Sequence, residues 1–263
     1  MKKIYLFNIF LLLLPTYSIA VEFNVAYGPD EIVPYIMGNS TQIPQEKPGI
    51  AVDVVLMLEK NVDNLKIKLK RYPWKRSQAE LKHNKIDGIF AASYKKERLK
   101  LGWYPTTDGT HEGQIDTSRR IDTFSYSLYK LKGSKISWDG AKFINVDPNK
   151  KLGASLGQSI VEDLKSRGIK MVSCTSLICG FQMLNLKRVQ GVVSWDVVGD
   201  KFLKYPEFQG IEKVTPPIVT KHYYLMISNQ FVKQHPMLAQ KIWDNIKIIR
   251  DTKMEMLVQK YAE

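Results

Sequence analysis

The chain has 263 residues with 44% hydrophobic content, enough apolar material for one large domain or two small ones, and this argues against disorder. Its formal charge is +13, from 39 basic and 26 acidic residues. The lysines are scattered, with no basic run of the kind that marks a nucleic-acid-binding face, so no nucleic-acid partner is expected.

Residues 1–20 read as a secretory leader. Lys2 and Lys3 give a basic start, 4–14 is an apolar run, and Ser18-Ile19-Ala20 is a small-x-small cleavage signal. The apolar run is shorter than the roughly 20 residues a spanning helix takes. Cleavage after Ala20 and export as a soluble periplasmic protein are expected. The cysteine pair is Cys174 and Cys179. Export permits a disulfide, and a bridge across this five-residue spacing requires a turn between them. No Cys or His cluster has zinc spacing, so no metal or other cofactor is expected.

From the leader onward, 22–27 alternates with Phe23, Val25 and Tyr27 on one face, the pattern of a strand. Gly28-Pro29-Asp30 ends it, and the loop to Pro48 carries Pro34-Tyr35. Asp30 or Glu31 is a candidate partner for a ligand amine. Residues 50–62 have a helical period, and 66–72 reads as a second strand. Pro73 suits a helix entry. Trp74, Ser77 and Leu81 then share one helix face. A turn over 85–88 leads into an apolar strand over 86–92, with Ser93 and Arg98 just beyond. Ligands of open parallel sheets bind outside the carboxyl ends of the strands. A hydroxyl and a guanidinium at that rim can hold an anion.

Residues 106–120 form a polar loop, and 123–131 is a long alternating strand. After a loop over 132–148, a strand over 151–155 turns through Leu156-Gly157-Gln158 into a helix. There Ser159 and Glu162 have capping-box spacing, and free N–H groups at the helix start can receive an anion. The same turn spells Gly153-Ala154-Ser155-Leu156-Gly157, a G-x-S-x-G match whose triad partners would have to come from residues such as His222 or His235. No second motif supports an esterase. A strand at 169–172 and a helix at 176–186 precede a strand that ends at Trp195-Asp196. Read from the residues alone, Asp196 suits the N-cap of the segment that follows, which does not preclude a further role, and Trp195 suits core. Pro216-Pro217 reads as an extended linker. Residues 222–227 alternate, and Pro236 opens a C-terminal helix.

These segments, in this order, resemble the bacterial extracellular solute-binding proteins of family 3, the periplasmic receptors of polar amino-acid ABC transporters. The resemblance rests on Pro34-Tyr35, on Gly49-Ile50-Ala51-Val52-Asp53, on Trp74, on Asp87-Gly88 followed by Ser93 and Arg98, on Gly157-Gln158-Ser159, and on Trp195-Asp196. It implies an α/β, two-lobed periplasmic-binding-protein type II fold, each lobe a mostly parallel sheet flanked by helices, with the ligand cleft between lobes. Lobe 1 would take 21–128 and 221–263, and lobe 2 would take 129–220. By the resemblance Arg98 holds a ligand carboxylate, with Ser93, Ser159, Gly157 and Gln158 adding hydrogen bonds. Trp74, Tyr35 and Trp195 cover the solute, and Asp196 takes its amine. Ala92, or Ala91 beside it, sits where the backbone approaches the ligand. The implied function is capture of an amino acid or related carboxylate, without catalysis, by a monomer serving an ABC transporter permease in the inner membrane. Three departures are Ile50 in place of an aromatic, Gln190 in place of an Asp, and Ser155 where some amino-acid binders carry lysine. An exported dehydratase-like enzyme on the same scaffold and a ligand sensor acting on a membrane signalling partner are the alternatives.

Overall fold

A computed structural model describes residues 20–262; the leader expected over 1–20 lies outside the described residues except for Ala20. The first lobe opens with β1 (Val21–Tyr27), then α1 (Ile50–Leu56), α2 (Leu58–Asn61), β2 (Leu65–Arg71), α3 (Trp74–Lys82) and β3 (Gly88–Ser93). Strands β2-β1-β3 are parallel and adjacent. β1 shows why alternation is not the whole of its pattern. Phe23, Val25 and Tyr27 enter the main core on one face, and Ala26 enters a second cluster with Leu81, Ile89, Ala92 and Tyr224 on the other. A strand covered by helices on both faces is apolar on both.

Two long strands then join the lobes. β4 (Asp122–Leu131) and β10 (Ile211–Ile227) are antiparallel to each other from Asp122 against Tyr223 to Leu131 against Ile211. Between them in sequence come a small hairpin, β5 (Ser137–Trp138) with β6 (Phe143–Ile144), and the second lobe: β7 (Leu152–Ser155), α4 (Ser159–Ser166), β8 (Met171–Cys174), α5 (Leu177–Asn185), β9 (Gly191–Trp195) and α6 (Asp196–Phe202). One continuous sheet results, in the order β2-β1-β3-β10-β4-β9-β7-β8. Each lobe contributes parallel neighbours, and the antiparallel pairs are those made by β4 and β10.

Pro216-Pro217 is therefore not a free linker. It lies inside β10, where the register against β4 shifts between Val214 and Val219. Proline cannot donate to the ladder, and a bulge accommodates it. The chain returns to the first lobe through α7 (Asn229–Gln234) and α8 (Pro236–Ala262). Ala239, Ile242, Trp243, Ile246 and Ile249 of α8 are buried, and Trp243 donates its Nε1–H to the Leu225 carbonyl at 2.9 Å. The far end of α8 is tied to α1: Lys260 and Tyr261 both reach Asp53 Oδ2, at 2.7 and 2.8 Å. Among the described residues no helix is long and apolar enough to cross a membrane.

Candidate functional site

The carboxyl ends of β3 and β7 face each other across a cavity of about 80 Å³. Its polar end is built from Ser93, the last residue of β3, Arg98, in a short 3-10 helix (Lys96–Leu101), and Ser159, the first residue of α4. All three are buried, Arg98 at 8% exposure. Ser93 donates its hydroxyl to Ser159 Oγ at 2.9 Å, across the two lobes. Arg98 donates from Nη1 to the Ser93 carbonyl at 2.7 Å and to Ser93 Oγ at 3.2 Å, and from Nη2 to the Gly157 carbonyl at 3.1 Å. Tyr104 OH also donates to the Ser93 carbonyl, at 2.7 Å. Burial of that phenol raises its pKa, so it stays a donor.

Trp74 is the first residue of α3, entered through Pro73 with φ −49°. Its indole N–H donates to the same Gly157 carbonyl at 3.2 Å, and the Arg98 guanidinium lies 5.6 Å from its ring centre. Gly157 has φ +79°, and a Cβ there would stand 2.9 Å from Trp74 Cδ1. Both facts require glycine at this turn.

The other walls are aromatic and apolar: Trp74, Tyr126, Trp195 and Tyr223, with Ile32, Ile36 and Leu177. Trp195 Nε1–H donates to Tyr223 OH at 2.6 Å, and Tyr223 donates to Tyr126 OH at 3.0 Å. Trp195 lines the cavity and, at 8% exposure, is also packed into the core. Asp30 lines the cavity too; burial raises its pKa, opposed by the Arg71 charge. Gln158 lines it with a buried Oε1 that accepts no hydrogen bond within the protein.

Several sequence expectations need correcting against this geometry. Ala91, not Ala92, lines the cavity. Ala91 has φ +61°, and the register of β3 against β10 shifts between Tyr224 and Met226, which turns Ala91 toward the cleft and leaves Ala92 fully buried on the far face. Tyr35 does not line the cavity, since its ring packs edge-on against Phe124 at 4.8 Å while Ile32 and Ile36 occupy the wall. Asp196 is also outside the cavity. It begins α6, where a carboxylate complements the helix dipole, and its Oδ2 lies 3.0 Å from Lys213 Nζ on β10. It is not the N-cap, which is Trp195.

Ser159 and Glu162 form no capping box. The N-cap is Gln158, Ser159 spends its hydroxyl across the cleft, and Glu162 pairs with Lys165. Gly157 meets Arg98 and Trp74 through its carbonyl rather than forming the cavity wall. Cys174 and Cys179 are free thiols; Cys174 Sγ lies 3.7 Å from Met183 Sδ. Glu31, the other candidate for an amine, bonds Lys201 of α6 at 2.6 Å. Burial pushes its carboxyl up, but the bonds from Lys201 and from Gly38 N–H outweigh that and hold it low.

The sequence reading missed Tyr126, Tyr223, Lys95, Asp163 and Lys221. Two-residue alternation was the available signal. Tyr126 on β4 follows the parity of Phe124, and Lys221 on β10 follows that of Tyr223, with Lys221 paired to Phe124. Asp163 takes Lys95 Nζ at 2.7 Å on Oδ1 and Lys221 Nζ on Oδ2, and Lys221 also donates to Ser159 Oγ at 2.8 Å. Among the described residues no cluster of metal-ligating side chains occurs.

No protein-family model and no curated protein matches the sequence. Solved structures do. A histidine kinase sensor domain with similarity to periplasmic binding proteins superposes with a TM-score of 0.67 at 15% identity, over 92% of this chain and 96% of that one. The GluR0 ligand-binding core from Nostoc punctiforme, in complex with L-glutamate, gives 0.67 at 15% identity, over 91% and 98%. An amino-acid ABC transporter substrate-binding protein from Streptococcus pneumoniae, bound to L-arginine, gives 0.64 at 16% identity, over 92% and 94%. The fold is that of the two-lobed periplasmic binding proteins, with the cavity at the junction of the lobes.

Proposed function

We propose that this chain is an exported solute-binding protein that closes its lobes on a small polar solute, an amino acid or related carboxylate, and presents it to an ABC transporter permease. In this reading lobe 1 comprises 21–128 and 221–263, lobe 2 comprises 129–220, the leader is removed after Ala20, and the protein acts as a monomer in the periplasm. The observation that carries the reading is the meeting of Arg98, Ser93 and Ser159, buried, at one end of an aromatic-walled cavity between the lobes. A guanidinium and two hydroxyls suit a carboxylate. Gln158 Oε1 and the Asp30 carboxylate are acceptors for a solute amine, in place of Asp196. Trp74, Trp195, Tyr126 and Tyr223 would cover the apolar part, and Ala91 would bring the backbone close.

Closure is a hinge motion about the two strands that cross between lobes. Hydrogen bonds from the first lobe to the Gly157 carbonyl, together with the Ser93–Ser159 bond, favour the closed arrangement. A thermal-shift screen against amino acids, small carboxylates, polyamines and sugars tests the reading. A ligand at one hundred times its Kd raises stability by about 2.7 kcal/mol. A shift with a carboxylate solute that disappears in Arg98→Ala is the expected result; a protein that responds to no carboxylate would refute it.

The likeness to a histidine kinase sensor domain favours a second reading, in which the closed form signals to a membrane partner. Stimulation of transporter ATPase activity by the loaded protein separates the two. A dehydratase-like enzyme would need a general acid; Glu31 and Asp196, the carboxylates considered for that role, each lie against a lysine. A carboxyl held ionised in this way, as Glu31 is, is a poor proton donor.

A further inference from the structure

The Arg98 end of the cleft carries more positive charge than its carboxylate balances. Asp163 serves two ammonium groups, Lys95 and Lys221. Lys221 donates to Ser159 Oγ at 2.8 Å, Ser159 meets Ser93 at 2.9 Å, and Ser93 takes an N–H from Arg98 at 3.2 Å. Two cations are thus joined through two hydroxyls that bond one another. Hydroxyls gain more by donating to an anion than to each other. The Lys221 side chain is only 14% exposed. Burial, then the nearby Lys95 and Arg98 charges, hold its ammonium below the usual lysine range in spite of Asp163.

Two spaces meet at this point. Arg98, Leu156, Gln158 and Ser159 line both the cavity and an outer groove of about 1030 Å³. Seven lysines and Arg98 line that groove, against the carboxylates Glu97, Glu162 and Asp163. Such a field draws anions toward the cleft.

We propose, on the solute-binding reading above, that Lys95 and Lys221 form a second anion subsite beside Arg98, and that the solute is a small dicarboxylate: an acidic amino acid or a dicarboxylic acid. One carboxylate lies on Arg98 and Ser93. The other crosses the Ser93–Ser159 contact, which opens, and meets Lys221 and Lys95. Two ammoniums on one carboxylate leave one positive charge, and the second carboxylate neutralises it. A monocarboxylate leaves that charge unanswered, and a cationic amino acid adds another beside it.

Titration calorimetry on the purified protein tests this with L-aspartate, L-glutamate and succinate against the monoamides L-asparagine and L-glutamine. The acids are expected to bind at least about tenfold tighter than the amides, a difference of about 1.4 kcal/mol. In Lys221→Gln the ratio falls toward one. Succinate binding points to free dicarboxylic acids, and its absence beside L-aspartate or L-glutamate binding points to acidic amino acids; either supports the proposal. Amides that bind as tightly as acids, with binding lost in Arg98→Ala, overturn the second subsite and leave the carboxylate reading standing. A preference for acids that survives Lys221→Gln overturns it also. Failure of every acid and amide to bind overturns both. Should Lys221→Gln not fold, Lys95→Gln is read by the same ratio.

Discussion

Ser93 and Ser159 stand 66 positions apart in the sequence and join the two lobes through one hydrogen bond of 2.9 Å between buried hydroxyls. Each ends or begins an element of its own lobe, β3 for Ser93 and α4 for Ser159. The contact therefore reports the distance between lobes directly. Replacing Ser159 by Ala removes the acceptor for both Ser93 and Lys221. A lost bond of this kind costs about 0.5–1.5 kcal/mol. Small-angle scattering should show a Ser159→Ala population shifted toward the open form, and a variant as compact as the wild type would show that the bond does not hold the cleft.

Arg98→Ala removes a buried charge from the cavity end. With a carboxylate solute the loss in binding is expected at about 2–5 kcal/mol. Folding should survive, because the Ser93 carbonyl keeps its bond from Tyr104. Calorimetry that finds less than about 0.5 kcal/mol of binding lost would take Arg98 out of the site.

Gly157 and Gly168 both have φ +79°, but only Gly157 has Trp74 against it; Gly168 has open space where a Cβ would go. Alanine at either position incurs the left-handed backbone penalty, about 1–2 kcal/mol. Gly157→Ala should add a further loss, seen in solute affinity, because Trp74 must retreat from the closed position. Equal binding by the two variants would mean that the Trp74 contact plays no part in closure.

How much of this was legible can be read from single residues. Trp74, Ser93 and Ser159 were legible because each sits at the boundary of an element whose pattern is plain, and Arg98 because it follows just beyond the apolar strand that Ser93 ends. The alternating pattern of β4 was equally clear, yet its partner β10 was obscured by Pro216-Pro217, which look like a linker and are housed in a bulge. That hid Lys221, and the place of Tyr223 beside β4 follows only once β10 is seen to continue on both sides of the bulge. Ala91 and Asp196 show the other limit. A one-residue register shift and a helix start each turn a side chain through a large angle, and neither leaves a mark in local composition.

The two thiols should differ in reactivity. Cys174 is buried, and burial together with its contact to Cys179 pushes its pKa up to about 12, so it carries almost no thiolate near neutral pH. Cys179 is half-buried at the start of α5. A thiol reagent at pH 8 is expected to label Cys179 first and Cys174 only as the protein unfolds. Mass mapping of the labelled peptides checks the order; prompt labelling of Cys174 would contradict the burial argument.

Asp122 opens β4 with one carboxyl oxygen buried and unpartnered, and burial pushes its pKa up to about 7, with Arg250 pulling the other way. Its ordinary value is 3.8. Since the folded state holds this proton more tightly than the unfolded chain, the associated stability is fully present below the ordinary value. It is lost as pH rises through about 7. At about 1.36 kcal/mol per pH unit the loss can reach about 4 kcal/mol. Chemical denaturation at pH 5 and pH 8 should show the wild type more stable at pH 5. Asp122→Asn, which cannot ionise, should lose most of that difference. A wild type equally stable at both values would show that Asp122 remains charged in the folded protein, paired with Arg250 closely enough to offset its burial.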